Sequence, residues 1–106
     1  MLGTEMKLRR KALDMNQAQL GSCVNLQQNT ISQFERCRVG GRTYIPDAAQ
    51  IAALVDALYP REDEATRARI RAQWTYYAAL DLIEHRYPGA LESFKSAGIK
   101  LPLKLF

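Results

Sequence analysis

Between Met15 and Phe34 the chain carries no charged side chain but eight side-chain amides: Asn16, Gln17, Gln19, Asn25, Gln27, Gln28, Asn29 and Gln33. A carboxamide presents a donor and an acceptor on one short arm. That pair matches the acceptor and donor that adenine shows in the major groove, whereas an acid there would repel phosphate. Arg36, Arg38 and Arg42 follow at once, where a docked helix would pass a phosphate backbone. The chemistry suggested is non-covalent reading of a polyanion. Catalysis has less to work with. The acids are scattered without a paired setting, and there is neither a glycine-rich phosphate loop nor a nucleophile motif. The pattern points away from an enzyme, and no cofactor is expected. Two thiols, Cys23 and Cys37, with the single His85 fall short of a zinc site.

Composition sets the frame for that segment. A chain of 106 residues with 47% hydrophobic and 25% charged residues has the balance of one globular unit with a modest core. The formal charge of +4 suits a polyanionic partner. Residues 1–59 carry seven basic and five acidic groups and residues 60–106 eight and six, so no basic tail stands out. A polyanion site must therefore come from folded geometry. No apolar run approaches the ~18 residues of a membrane span, and the start, MLGTEMKLRRK, lacks the apolar core of a signal peptide. The expectation is a cytoplasmic protein with free thiols and no membrane partner.

The elements that must position these side chains are helices. Thr4 is read as the N-cap of a first helix reaching about Leu13, with Met6, Leu13 and neighbouring Leu2 inward. Asp14 breaks that pattern. Asn16 caps a second helix, and Gln19 completes a capping-box pair. Ala18, Leu20, Gly21 and Val24 give it a small-residue face, and Asn25 tolerates the left-handed turn that follows. Leu26 re-enters the core. A third helix over Gln28–Arg36 turns Ile31 and Phe34 inward and Gln28, Asn29, Ser32, Gln33 and Arg36 outward. Residues 37–46 read as a loop. Asp47, with Gln50 at the reciprocal position, caps a fourth helix carrying Ile51, Leu54, Val55 and Leu58, and Pro60 ends it. A polar connector, 61–64, leads to a long fifth helix from about Ala65 to Tyr87 with Ile70, Trp74, Tyr77, Leu80 and Ile83 in a stripe. Pro88 opens and Gly98 closes a short helix, and IKLPLKLF alternates as a strand would.

Residues 16–37 have the arrangement of a helix-turn-helix, and residues 2–59 resemble the lambda-repressor-like helix-turn-helix domains of phage repressors, Cro proteins and bacterial regulators. The resemblance rests on Asn16-Gln17, Leu20, Gly21, Val24, Leu26, Thr30-Ile31-Ser32 and Glu35, followed by Pro46 and the Ile51/Leu54/Leu58 helix. It implies an all-α fold with a DNA-binding domain over 1–60. It also implies base readout by Gln28, Asn29 and Gln33 and a phosphate contact by Gln17; the positions of Asn16, Gln27, Ser32, Arg36, Arg38 and Arg42 around that helix make them further candidates for phosphate contacts, Arg42 lying past an extra Gly40-Gly41 that the family pattern lacks. Arg10 and Glu35 match a family ion pair that joins the first helix to the recognition helix. The chain departs from the pattern at Gln27, where Ser or Thr usually caps the recognition helix. It departs again at Asp14, Asn25 and Cys37, where the family usually has glycine.

A single such unit covers too little DNA to find one site, so a two-fold dimer is expected, with recognition helices about 34 Å apart on a palindromic operator. Residues 61–106 then form a C-terminal helical extension with a short extended tail, read as the dimerisation region through Trp74, Tyr77, Leu101, Leu103 and Leu105. The function implied is a homodimeric transcription regulator of the phage or prophage repressor type. The second helix carries no acid of the kind activators present, which favours repression by occlusion. The alternative is an antitoxin-like protein whose C-terminal half binds a protein partner, with DNA binding secondary.

Overall fold

The computed structural model describes residues 1–100; Leu101, Leu103 and Leu105 lie outside the described residues. Six helices and one small hairpin follow in the order α1 (Leu2–Ala12), α2 (Gln17–Val24), α3 (Gln28–Arg36), β1 (Arg38–Val39), β2 (Arg42–Thr43), α4 (Ala48–Leu58), α5 (Glu64–Arg86) and α6 (Ala90–Ser96). The protein is mostly helical. Local capping explains several of the helix starts. Asn16 Oδ1 accepts from the Gln19 N–H at 2.8 Å, and Gln19 Oε1 accepts from the Asn16 N–H at 2.8 Å. Asp47 and Gln50 repeat the exchange before α4, at 2.8 and 2.9 Å. Asp63 caps α5 by accepting from the Thr66 N–H at 2.7 Å, a hydrogen bond that holds its carboxyl below the ordinary range.

The first helix does not start where Thr4 predicts. It starts at Leu2 without a local side-chain cap, and Thr4 lies inside it. Asp81 of α5 supplies the missing acceptor. Its carboxylate takes the Leu2 N–H at 3.1 Å and meets the Met1 amino group at 3.1 Å. An acid from another helix thus sits at the positive end of α1, where the backbone N–H groups lack partners.

Residues 37–46 are also more regular than a loop. Arg38 pairs with Thr43 and Val39 with Arg42 in an antiparallel hairpin. Gly40 and Gly41 have φ of 58° and 79°, the two positive values that a type I′ turn needs. The Tyr44 N–H closes the base onto the Cys37 carbonyl at 2.7 Å.

The core gathers Leu2 and Met6 of α1, Leu20 of α2, Ile31 and Phe34 of α3, Ile51, Leu54, Val55 and Leu58 of α4, and Trp74 and Ala78 of α5. The helices approach closely where side chains are missing. A Cβ on Gly21 would lie 2.5 Å from the Leu26 carbonyl oxygen, and one on Gly3 would lie 2.4 Å from that of Glu35. The aromatic stripe expected to face a partner is used within one chain. Trp74 is 2% exposed, its ring edge-on to Tyr59 with centroids 6.1 Å apart, and Tyr77 packs half-buried against the same core. The division at residue 60 therefore does not divide the core. Of the expected dimer contacts, Trp74 is corrected to a core residue. Among the described residues, no helix is long and apolar enough to cross a membrane.

Candidate nucleic-acid interface

The α3 helix carries its inward residues Ile31, Phe34 and Glu35 on one side. Gln28, Asn29 and Arg36 are exposed on the other, with Ser32 and Gln33 half-exposed beside them. The side-chain amides of Gln28, Asn29 and Gln33 make no hydrogen bond among the described residues. Each therefore presents a donor and an acceptor to whatever meets this face.

The helix is anchored from behind. Arg10 donates from Nε to Glu35 Oε2 at 2.7 Å and from Nη2 to Glu35 Oε1 at 2.9 Å, a two-pronged pair. Its third donor, Nη1, reaches the Met15 carbonyl at 2.8 Å. Arg10 is 7% and Glu35 9% exposed, so water screens the pair little. Donating to the Glu35 carboxylate raises the Arg10 guanidinium above its ordinary pKa, against the opposing effect of burial. Glu35 also accepts from the Gln17 amide at 3.2 Å. One carboxylate therefore joins α1, the first residue of α2 and the end of α3. Gln17, expected at a phosphate, uses one amide N–H inside the fold.

Asn16 likewise has its oxygen in the cap of α2, and the residue is exposed. Gln27 occupies the N-cap of α3 with extended backbone and no side-chain cap bond, and it is exposed. The turn between α2 and α3 is made by Asn25 in the left-handed conformation, φ 57°. Asp14 and Cys37 share that sign of φ, at 56° and 65°. Among the described residues these are the non-glycine positions with positive φ.

Beyond α3 the hairpin separates the two outer arginines. Side chains alternate across a strand, so Arg38 shares a face with its partner Thr43, and Arg42 shares the other with Val39. The Thr43 hydroxyl lies 2.7 Å from His85 Nδ1, tying that face to α5. A cleft of about 290 Å³ runs there between Arg36, Arg38, Asp81, Glu84 and His85. The roles of Asp81 and His85 were not apparent from the sequence, since both act on partners far along the chain. Burial, with Asp81 second, pushes the Cys37 thiol up and disfavours a reactive thiolate. Among the described residues no group of three His, Cys, Asp or Glu is placed to hold a metal.

Comparison with protein-family models, with curated proteins and with solved structures found no match for this chain.

Proposed function

We propose that α2 and α3 form a helix-turn-helix of the lambda-repressor-like kind, and that the protein is a sequence-specific DNA-binding transcription regulator. In this reading α3 enters the major groove, and Gln28, Asn29 and Gln33 read base edges. Asn16, the remaining amide donor of Gln17, Gln27, Ser32, Arg36, Arg38 and Arg42 meet phosphates. The carrying observation is the row of unpaired amides on a helix anchored by the buried Arg10–Glu35 pair. A readout side chain must be free, and the helix beneath it must be fixed.

Two further observations support the reading. The close approach of the turn at Leu26 to Gly21 and the left-handed Asn25 give the compact corner that such a unit needs. The positive φ values at Asp14, Asn25 and Cys37 fall where the resembling family places glycine. Binding as a homodimer to a palindromic operator, with repression by occlusion, completes the proposal.

The test is selection of bound sequences from a random duplex library at about 0.15 M salt, where nonspecific phosphate binding is weakened. An inverted repeat with half-sites about one helical turn apart is expected. Recovery of no motif, with only salt-sensitive binding, overturns the reading.

A further inference from the structure

A cavity of about 630 Å³ lies between the start of α1, α5 and α6. That size falls among small-molecule sites, which run from about 300 to 1,000 Å³. Its apolar wall is formed by Met1, Leu80, Leu91 and Ile99. Leu80 is 3% exposed, whereas Met1 and Ile99 are 45% and 54% exposed, so the wall runs from the core out to water. Backbone contacts to α5 hold it in place. Glu84 accepts the Gly89 N–H at 2.7 Å and the Leu91 N–H at 3.3 Å, which fixes the start of α6. Asp81 accepts the Leu2 N–H at 3.1 Å, which fixes the start of α1.

The charge around this wall has one sign. Among the described residues, the charged side chains that line the cavity are Lys95 and Lys100. Neither ammonium group makes a hydrogen bond or ion pair among the described residues. Asp81 and Glu84, on the same stretch of α5, have their oxygens committed to N–H groups. Glu92, next to Leu91, is exposed and does not line the cavity. An apolar hollow rimmed by two free cations fits a guest with an aliphatic body and an anionic end. We propose that the cavity binds an amphipathic carboxylate, an unbranched fatty acid of medium length. Its chain would lie along Leu80, Leu91 and Ile99, and its carboxylate would meet Lys95 and Lys100. Lysine suits such a rim, because its four-carbon stem continues an apolar wall while the ammonium stays in water. A concave site takes a single aliphatic chain, unlike a flat amphipathic face that lies on a lipid surface. None of the lining residues belongs to α2, α3 or the hairpin, so the inference stands apart from the DNA-binding reading.

The test is titration calorimetry of the full chain, without DNA, with decanoate below its micelle-forming concentration. One decanoate per chain is expected. Octanoate should bind more weakly, each CH₂ that enters the cavity being worth up to about fourfold, the equivalent of ~0.8 kcal/mol. Decyltrimethylammonium, the same tail on a cation, should bind at least about tenfold more weakly than decanoate. Lys95→Gln combined with Lys100→Gln should weaken decanoate about fivefold without weakening decyltrimethylammonium. Leu91→Asp should weaken decanoate by at least about tenfold, because it sets a charge against the aliphatic chain. Circular dichroism checks that this variant keeps its helices; if it does not, Ile99→Asp replaces it. Sedimentation of the same samples, alone and with vesicles of anionic phospholipid, covers the other occupants. Absence of saturable decanoate binding overturns the proposal, as does binding that the lysine and Leu91 variants leave unchanged. A chain that binds the vesicles but not free decanoate assigns the surface to a membrane. A dimer that Leu91→Asp dissociates, without decanoate binding, assigns it to a second copy. Either result also overturns the proposal.

Discussion

At the start of α2 the amides are occupied. Asn16 and Gln19 close on one another's backbone, and Gln17 turns inward to Glu35. On α3 the same side-chain type is free: Gln28, Asn29 and Gln33 touch no hydrogen-bonding partner among the described residues. The two helices are eight and nine residues long and lie against each other, and all of these amides fall in one stretch that is uncharged from Met15 to Phe34. Composition does not tell them apart; position does. An amide at an N-cap or three residues later has a backbone N–H within reach, whereas an amide on the outer face of a helix has only solvent or a partner. One set fixes the corner, and the other is the set that the DNA-binding proposal assigns to recognition. Substitutions in the first should lower stability, and those in the second should lower binding at constant stability.

The strongest test of that division lies beneath both helices. Arg10→Ala leaves the Glu35 carboxylate buried and unpaired, and should lower folding stability by about 3–5 kcal/mol. Urea denaturation read by circular dichroism measures the loss. A change within experimental error would mean that α1 does not anchor α3. On the recognition face, Gln28→Ala and Gln33→Ala should each weaken operator binding by about 1–3 kcal/mol and relax preference at one base pair, with the unfolding midpoint unchanged. Equal losses on operator and random duplexes would remove the base-readout role of these amides. At the start of α2 the pattern should invert. Asn16→Ala should lower stability by about 1 kcal/mol through loss of the cap, and discrimination between sequences should stay the same.

Much of this division is legible in the sequence, because it is local. The reciprocal Asn16/Gln19 and Asp47/Gln50 spacings define their helix starts, and the outward row on Gln28–Arg36 follows from helical period alone. What the sequence hides depends on distant partners. The cap of α1 comes from Asp81, 79 residues away from Leu2, while Thr4 looked like a local alternative. Gln17 looked free because its acceptor, Glu35, lies across the corner. The stripe on α5 showed that Trp74 would be buried but not by which chain, and the core of its own chain takes it. The hairpin left a fainter trace. Its strands are two residues long, too short to alternate visibly, yet Gly40-Gly41 between Val39 and Arg42 is a two-residue turn signal that the loop reading passed over.

That hairpin provides the smallest expected effect and the finest test of what is free and what is held. Arg38 and Arg42 look equivalent in sequence, but they stand on opposite faces of the antiparallel pair. Arg42 shares its face with Val39, away from the contact to His85. Arg38 lines a cleft with Asp81 and Glu84, two acids that would repel a phosphate brought to that face. Counterion release follows the number of phosphates neutralised, so the two should differ in salt dependence. Arg42→Ala should weaken all duplexes alike and lower the slope of log affinity against log salt by about one. Arg38→Ala should lower it by less, because Asp81 and Glu84 line the same cleft and disfavour a phosphate there. Titrations of both variants at several salt concentrations decide the point. A slope that falls further for Arg38 than for Arg42 would place the inner face of the hairpin against the DNA and reverse the assignment.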